Sequence, residues 1–161
     1  METVNIEIEM ENGGVIKAEL YPEIAPVTVE NFVKLIEDNF FEGLIFHRVI
    51  PGFMIQGGGF TADGGHKEAA PIKGEFNSNG FNNPLKHERG VLSMARTMFP
   101  NSASSQFFIM HDDAPHLDGQ YAAFGKVTDG MDVVDEIAEA PTGYQDKPVD
   151  DWIIKTIRLA D

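Results

Sequence analysis

Cysteine is absent from the 161 residues. That absence removes disulfides, thiolate zinc sites, thiol nucleophiles and iron–sulfur ligation together. Basic residues are scarce: 12 Lys plus Arg stand against 26 Asp plus Glu, a net charge of −14. The far field of such a chain repels phosphate backbones and anionic lipid, so nucleic acid is not an expected partner. Long apolar runs are also missing. The longest, Phe107 to Met110 and Tyr121 to Phe124, fall far short of the roughly 18 residues of a membrane span, and no membrane-crossing helix is expected. The opening METVNIEIEMENGG places no Lys or Arg ahead of an apolar stretch. No Sec-type signal is therefore expected, and the cytoplasm is the expected compartment. Chemistry must come from His, carboxylates, Arg, hydroxyls or plain binding.

What is present suits an ordinary globular protein, with 42% hydrophobic and 24% charged residues, and the length fits a single domain over 1–161. A chain of this mass can bury roughly 69% of its unfolded surface, enough for one core without staples. In Val4 to Met10 the apolar residues fall on every even position, the period of a strand with one buried face. Asn12-Gly13-Gly14 supplies a tight turn, and Ile16, Ala18 and Leu20 alternate beyond it, which predicts an antiparallel hairpin. Val29, Phe32, Val33 and Ile36 follow helical spacing, with Thr28 as N-cap, and predict a helix over roughly 28 to 38. Short apolar runs between turns rich in Gly, Asn and Pro fill 44 to 110 and suit a sheet closing on itself. Met131, Val134 and Ile137 predict a second short helix, and Trp152 to Leu159 a closing strand whose alternation is imperfect.

Three motifs invite chemistry and fail on context. Gly57-Gly58-Gly59 lacks both GxGxxG and GxxxxGK[ST] and precedes no helix, so it reads as turns or bulges where backbones approach closely. His111-Asp112-Asp113-Ala114-Pro115-His116 holds two imidazoles and two carboxylates, but Pro115 disfavours a helix carrying both His on one face. These read as solvated loop residues, and no metal is expected. A Ser-His-Asp hydrolase could draw on Ser102, Ser104 or Ser105, yet no GxSxG elbow supports it. The segment FHRVIPGFMIQGG at 46 to 58 reads as strand, Pro-Gly turn and strand. Alternation puts His47 opposite Arg48, as a satisfied core histidine.

That segment, with GVLSMAR at 90 to 96, SSQFFI at 104 to 109, LDGQYAAFGKV at 117 to 127 and ENF at 30 to 32, resembles the cyclophilin family of peptidyl-prolyl cis-trans isomerases. Order and spacing agree over essentially the whole chain, and the wording around Ala95 to Phe108 looks closer to the short single-domain prokaryotic members than to the eukaryotic cytosolic ones. The resemblance implies a mainly β fold, a closed eight-stranded antiparallel barrel capped by two helices, with the substrate groove on its outer face. It implies that Arg48 is the catalytic arginine and Gln56 the substrate-orienting glutamine. It places Phe53, Met54, Phe108 and Leu117 in the proline pocket and Ala95 and Gln106 along the neighbouring groove. Three positions depart from eukaryotic members. Arg96 replaces an asparagine at a rim one residue longer, His116 replaces a tryptophan, and Tyr121 replaces a groove histidine. All three stay in the expected substrate-binding set.

The activity so implied is isomerisation of Xaa-Pro bonds in peptides and unfolded proteins by a monomer, with no metal, nucleotide or redox cofactor. Cyclosporin is an implied ligand, weakened by His116. The rival readings are a non-catalytic proline-peptide binding module and a chaperone-like interaction protein.

Overall fold

The alternation of the first twenty residues becomes a hairpin in a computed structural model that describes residues 2–160. β1 (Val4–Met10) buries Ile6, Ile8 and Met10, and β2 (Val15–Leu20) buries Ile16, Ala18 and Leu20. Gly13 turns between them at φ 96°, and the Asn12 side chain accepts a hydrogen bond from the Gly14 N–H. The remaining strands are β3 (Leu44–Ile50), β4 (Met54–Thr61), β5 (Val91–Met94), β6 (Phe107–Met110), β7 (Ala123–Asp129) and β8 (Ile154–Ala160). All eight form one antiparallel sheet in the order β3-β4-β6-β5-β7-β2-β1-β8.

The sheet curls until its two edges meet, but the expected full closure is reduced to a seam. β3 reaches the start of β8 through a single bridge, Ile45 to Ile153, and through hydrogen bonds from Phe46 N–H to the Trp152 carbonyl and from Gly43 N–H to the Ile154 carbonyl. Register shifts against β4 on both sides of Phe46 bend the rest of β3. β8 explains its own imperfect alternation. Met10 pairs with Ile154 and Glu9 with Thr156, so Lys155 is an extra, bulged residue and Ile154 and Ile157, three apart, both face the core.

The first helix, α1 (Pro26–Glu37), buries Val29, Phe32, Leu35 and Ile36 and plugs one side of the curl. Phe32 stands among Phe41, Phe107 and Phe124 at centroid distances of 4.9, 5.3 and 5.1 Å. The helix starts two residues earlier than its apolar spacing implies, with Pro26 in the first turn, where its missing N–H costs nothing. Thr28 is therefore not the N-cap. It lies inside the first turn, fully buried, and the cap comes from a distant side chain. Glu75 accepts hydrogen bonds from the Thr28 N–H (2.7 Å), the Thr28 hydroxyl (2.7 Å) and the Val27 N–H (3.2 Å). The second helix, α2 (Met131–Ala138), buries Val134, Ile137 and Ala138, as its spacing predicts.

The glycine triplet sits in β4, where backbones and side chains crowd. A Cβ on Gly57 would stand 2.6 Å from the Ile45 carbonyl, and one on Gly59 would stand 2.5 Å from the Gln106 side chain. Outside the main core, a smaller apolar cluster of Met54, Val91, Phe108, Met110, Ala114, Leu117 and Ala123 covers the outer face of β4, β6, β5 and β7. No helix among the described residues is long and apolar enough to cross a membrane.

Candidate functional site

Directly paired residues of neighbouring strands share a face. Arg48 of β3 pairs with Gln56 of β4, Gln56 with Phe108 of β6, and Phe108 with Ser93 of β5. One row of side chains thus crosses four strands on the outer face. Met54, two residues before Gln56, adds to it. The outer cluster is open at one end, leaving a cup of 180 Å³ lined by Arg48, Phe53, Met54, Gln56, Ala95, Arg96, Phe108, Leu117 and Tyr121. Nine of the eleven residues singled out from the sequence therefore border one cavity. Of the other two, Gln106 touches its edge by accepting a hydrogen bond from the Gln56 amide at 3.0 Å. His116 stands exposed on the short turn Pro115–Leu117, its ring 5.9 Å from that of Phe53.

The polar groups of the cup are oriented unequally. Arg48 is exposed, makes no ion pair among the described residues, and reaches only the Gln56 carbonyl oxygen at 3.4 Å. Its remaining donors make no hydrogen bond among the described residues. Arg96 is held on all sides: its guanidinium lies 4.7 Å from the rings of both Phe76 and Tyr121, and it donates to the carbonyls of Gln120 and Thr97. Arg96 is a strut of the rim, with its charge over aromatic faces. The Gln56 amide is fixed at both ends, oxygen toward Arg48 and nitrogen toward Gln106. Gln106 can lie there because Gly59 beneath it has no side chain.

Under the cup is a group that no local signal in the sequence marks. His87 is buried, its Nδ1 3.1 Å from an Asp118 carboxylate oxygen and its Nε2 2.8 Å from the Ser93 hydroxyl. The carboxylate can only accept, so Nδ1 donates and Nε2 accepts from Ser93. Burial lowers the His87 pKa against the opposing pull of Asp118, which keeps the ring neutral. Ser93 has no exposed surface and no substrate can reach it, so this Ser-His-Asp chain is scaffolding. It ties β5 to the Leu117–Asp118 segment, and the imidazole stacks on Phe108 at 6.0 Å.

Two other histidines differ from expectation. His111 is not solvated. Its Nδ1 accepts from the Gly52 N–H at 2.8 Å and its Nε2 meets Asp135 at 3.1 Å, joining the β3–β4 turn to α2. His47 is not a satisfied core histidine either. It is half-buried with its ring 4.6 Å from Phe60, and its Nδ1 is buried without a hydrogen-bond partner. Burial, then the adjacent Arg48 cation, push its pKa down to about 4. The unfolded chain takes up this proton below about pH 6.5 whereas the folded ring stays neutral, so stability falls as pH drops from there toward 4. Urea midpoints measured at pH 7 and pH 5 are expected to drop further in wild type than in His47→Phe. Equal drops would remove His47 from the acid response.

Residues 4–159 match the family described as cyclophilin type peptidyl-prolyl cis-trans isomerase/CLD. A peptidyl-prolyl cis-trans isomerase of Acinetobacter baylyi is 52% identical over 145 residues, covering 86% of this chain and 74% of that protein. Peptidyl-prolyl cis-trans isomerase B of Escherichia coli is 43% identical over 165 residues, covering 93% and 96%. Among solved structures, a cyclophilin type isomerase of Cryptosporidium parvum superposes with a TM-score of 0.85 at 32% identity, covering 99% of both chains. The same protein crystallised in the presence of the dipeptide Ala-Pro gives a TM-score of 0.83 at 32% identity, covering 98% of this chain and 99% of that one. With the eight-stranded antiparallel sheet, its two helices and the outer-face cup, these matches make the chain a member of the cyclophilin-type peptidyl-prolyl cis-trans isomerases.

Proposed function

We propose that the chain accelerates rotation about Xaa-Pro bonds by holding the proline ring in the cup while Arg48 stabilises the twisted amide. The observation that carries this reading is the guanidinium of Arg48, without an ion pair among the described residues, beside a cavity lined largely by apolar side chains. At 180 Å³ the cup is well below the roughly 300 Å³ at which sites for drug-sized ligands begin, and so suits one small ring. An Xaa-Pro amide resists rotation by about 18–20 kcal/mol because its nitrogen shares electrons with the carbonyl. Rotation breaks that sharing and leaves a lone pair on a pyramidal nitrogen. A donor aimed at this lone pair binds the twisted state more strongly than either planar isomer, which is the condition for catalysis. A guanidinium stays protonated in proteins and presents its donors in a fixed fork.

In this scheme Phe53, Met54, Phe108 and Leu117 grip the ring, while Gln56 and the Ala95 side of the groove hold the peptide's polar atoms. No bond is made or broken and no proton is transferred. A rate factor of about 10⁵ needs only about 7 kcal/mol of differential stabilisation. The experiment is magnetisation-exchange NMR on a short Xaa-Pro peptide, where exchange between cis and trans resonances should accelerate in proportion to added protein. Binding shifts without faster exchange would leave a proline-peptide binder instead.

The rim exchange at His116 separates turnover from drug binding. Compared with an indole, the imidazole beside Phe53 is smaller and carries charge when protonated, so covering it with an apolar macrocycle has a desolvation cost. Cyclosporin affinity is expected to rise by at least about tenfold in His116→Trp, with peptide turnover little changed. Equal inhibition of both proteins would show that this position does not set drug affinity.

A further inference from the structure

One wall of the cup hangs on a turn that packing does not hold. Pro51 keeps its φ at about −65° by its ring, and Gly52 stands at φ 78°, the combination of a type II turn. A hydrogen bond from the Phe53 N–H to the Ile50 carbonyl at 3.0 Å closes it. Phe53, the last residue of the turn, lines the cup. A type I turn over the same four residues differs mainly in the peptide between Pro51 and Gly52, which is turned over, and glycine adopts either conformation freely. Packing does not choose between the two. Gly52 is exposed, and a Cβ built on it would meet nothing within 4 Å.

The N–H that reverses in that flip is the one His111 holds. The Gly52 N–H donates to His111 Nδ1 at 2.8 Å. A ring nitrogen that accepts carries no proton, so the imidazole proton sits on Nε2 and is donated to Asp135 at 3.1 Å. The far side of the ring is fixed in turn. Arg89 donates to both Asp135 oxygens at 2.8 and 2.9 Å and to the His111 carbonyl at 2.9 Å. Those hydrogen bonds to Arg89 hold the Asp135 carboxyl below the usual carboxylate range, so it remains an acceptor. Glu139 adds a second carboxylate 3.8 Å from the same ring nitrogen. Only 12% of the His111 side chain is exposed. The main chain of the same residue supports the turn as well, because the His111 N–H donates to the Phe53 carbonyl at 2.9 Å.

We propose that His111 is a positioning residue of the isomerase: its unprotonated Nδ1 fixes the Pro51–Gly52 peptide in the orientation that sets Phe53 against the proline ring. This rests on the isomerase reading above, in which Phe53 grips that ring. His111 itself does not line the cup. It acts through Gly52, anchored from behind by Asp135 of α2. The Phe53 wall touches the ring in the planar and the twisted amide alike, so loosening it weakens binding and leaves the rate of the bound complex nearly unchanged. When the turn spends time flipped, the fraction of molecules with a formed cup falls and KM rises in inverse proportion.

The test compares two substitutions of nearly one shape. His111→Asn and His111→Leu are both too short to reach Asp135, but asparagine keeps an acceptor oxygen close to the place of Nδ1 and leucine has none. In isomerisation kinetics on a short Xaa-Pro peptide, His111→Leu is expected to raise KM by at least about threefold with kcat within about twofold of wild type. His111→Asn is expected to keep KM within about twofold. A role confined to tying the turn to α2 would lower the thermal midpoints of both variants alike and leave KM unmoved. That result, or an equal rise in KM in the two variants, would overturn the proposal and leave the isomerase reading intact. A second measurement needs no variant: the ring 15N shifts of His111 in wild type are expected to show a proton on Nε2 and none on Nδ1. A proton on Nδ1 would take away the acceptor of the Gly52 N–H and overturn the proposal. Failure of wild type to accelerate exchange in the peptide would instead remove the isomerase reading, and the proposal with it.

Discussion

Arg48→Ala is expected to lower kcat/KM on a short Xaa-Pro peptide by at least about tenfold, or 1.4 kcal/mol, with the folded state unchanged. The fold should survive because Arg48 is exposed and its one side-chain hydrogen bond among the described residues, to Gln56 at 3.4 Å, is long. Removal of a preorganised donor in a buried oxyanion site costs roughly 10²–10³ in rate. The lower bound here is set at tenfold because water can reach the mouth of this cup and supply part of the lost hydrogen bonding. Arg48→Lys separates charge from geometry: it keeps the cation and loses the fork, so a rate between wild type and alanine is expected. Near-wild-type turnover by a folded Arg48→Ala protein would end the donor role, whatever the peptide's affinity.

The largest stability effect is expected at a residue remote from the chemistry. Glu75→Ala should destabilise the protein by about 3 kcal/mol, which for a chain of this size lowers Tm by roughly 6–12 °C. Glu75 is 2% exposed and its carboxylate receives three hydrogen bonds at the start of α1. A helix N-terminus has orphan N–H groups and a partial positive charge, and here the Thr28 N–H is sealed from water. Alanine leaves those donors unpaired inside the protein, which is worse than losing an exposed cap. Glu75→Gln keeps one acceptor oxygen and should lose less than half as much. Thermal melts of both variants decide it, and a Glu75→Ala melt within about 2 °C of wild type would contradict the capping account.

Glu75 also marks a limit of reading along the chain. Thr28 looks like an N-cap because a hydroxyl residue stands just before an apolar helical repeat, and local spacing carries no trace of a carboxylate 47 positions away. The first hairpin was legible because each of its strands has one buried face and sequence alternation reports that directly. β8 was legible only as a disturbed strand: its alternation breaks at Lys155, but the bulge is defined by the partner, β1. The cup was drawn from resemblance to a family. Arg48, Gln56 and Phe108 become neighbours through cross-strand pairing, which no periodicity in one segment encodes. His87 had no sequence signal, since its role depends on Ser93 and Asp118 arriving from elsewhere. Arg96 was visible as a departure from the family wording, yet its clamp between Phe76 and Tyr121 could be read only in three dimensions.

The missing side chain of Gly59 couples two positions far apart in the sequence. Gln106 fills the volume in which any Cβ at 59 would stand, and the same Gln106 receives the amide of Gln56. Residues 59 and 106 therefore share one volume, and a side chain can occupy it from either side but not from both. Substitutions at the two positions will not combine additively. A larger residue at 59 displaces the Gln106 side chain, and with it the acceptor of the Gln56 amide, unless 106 has shortened first. The route by which this wall of the groove can be rebuilt, by selection or by design, runs through paired changes made in a fixed order.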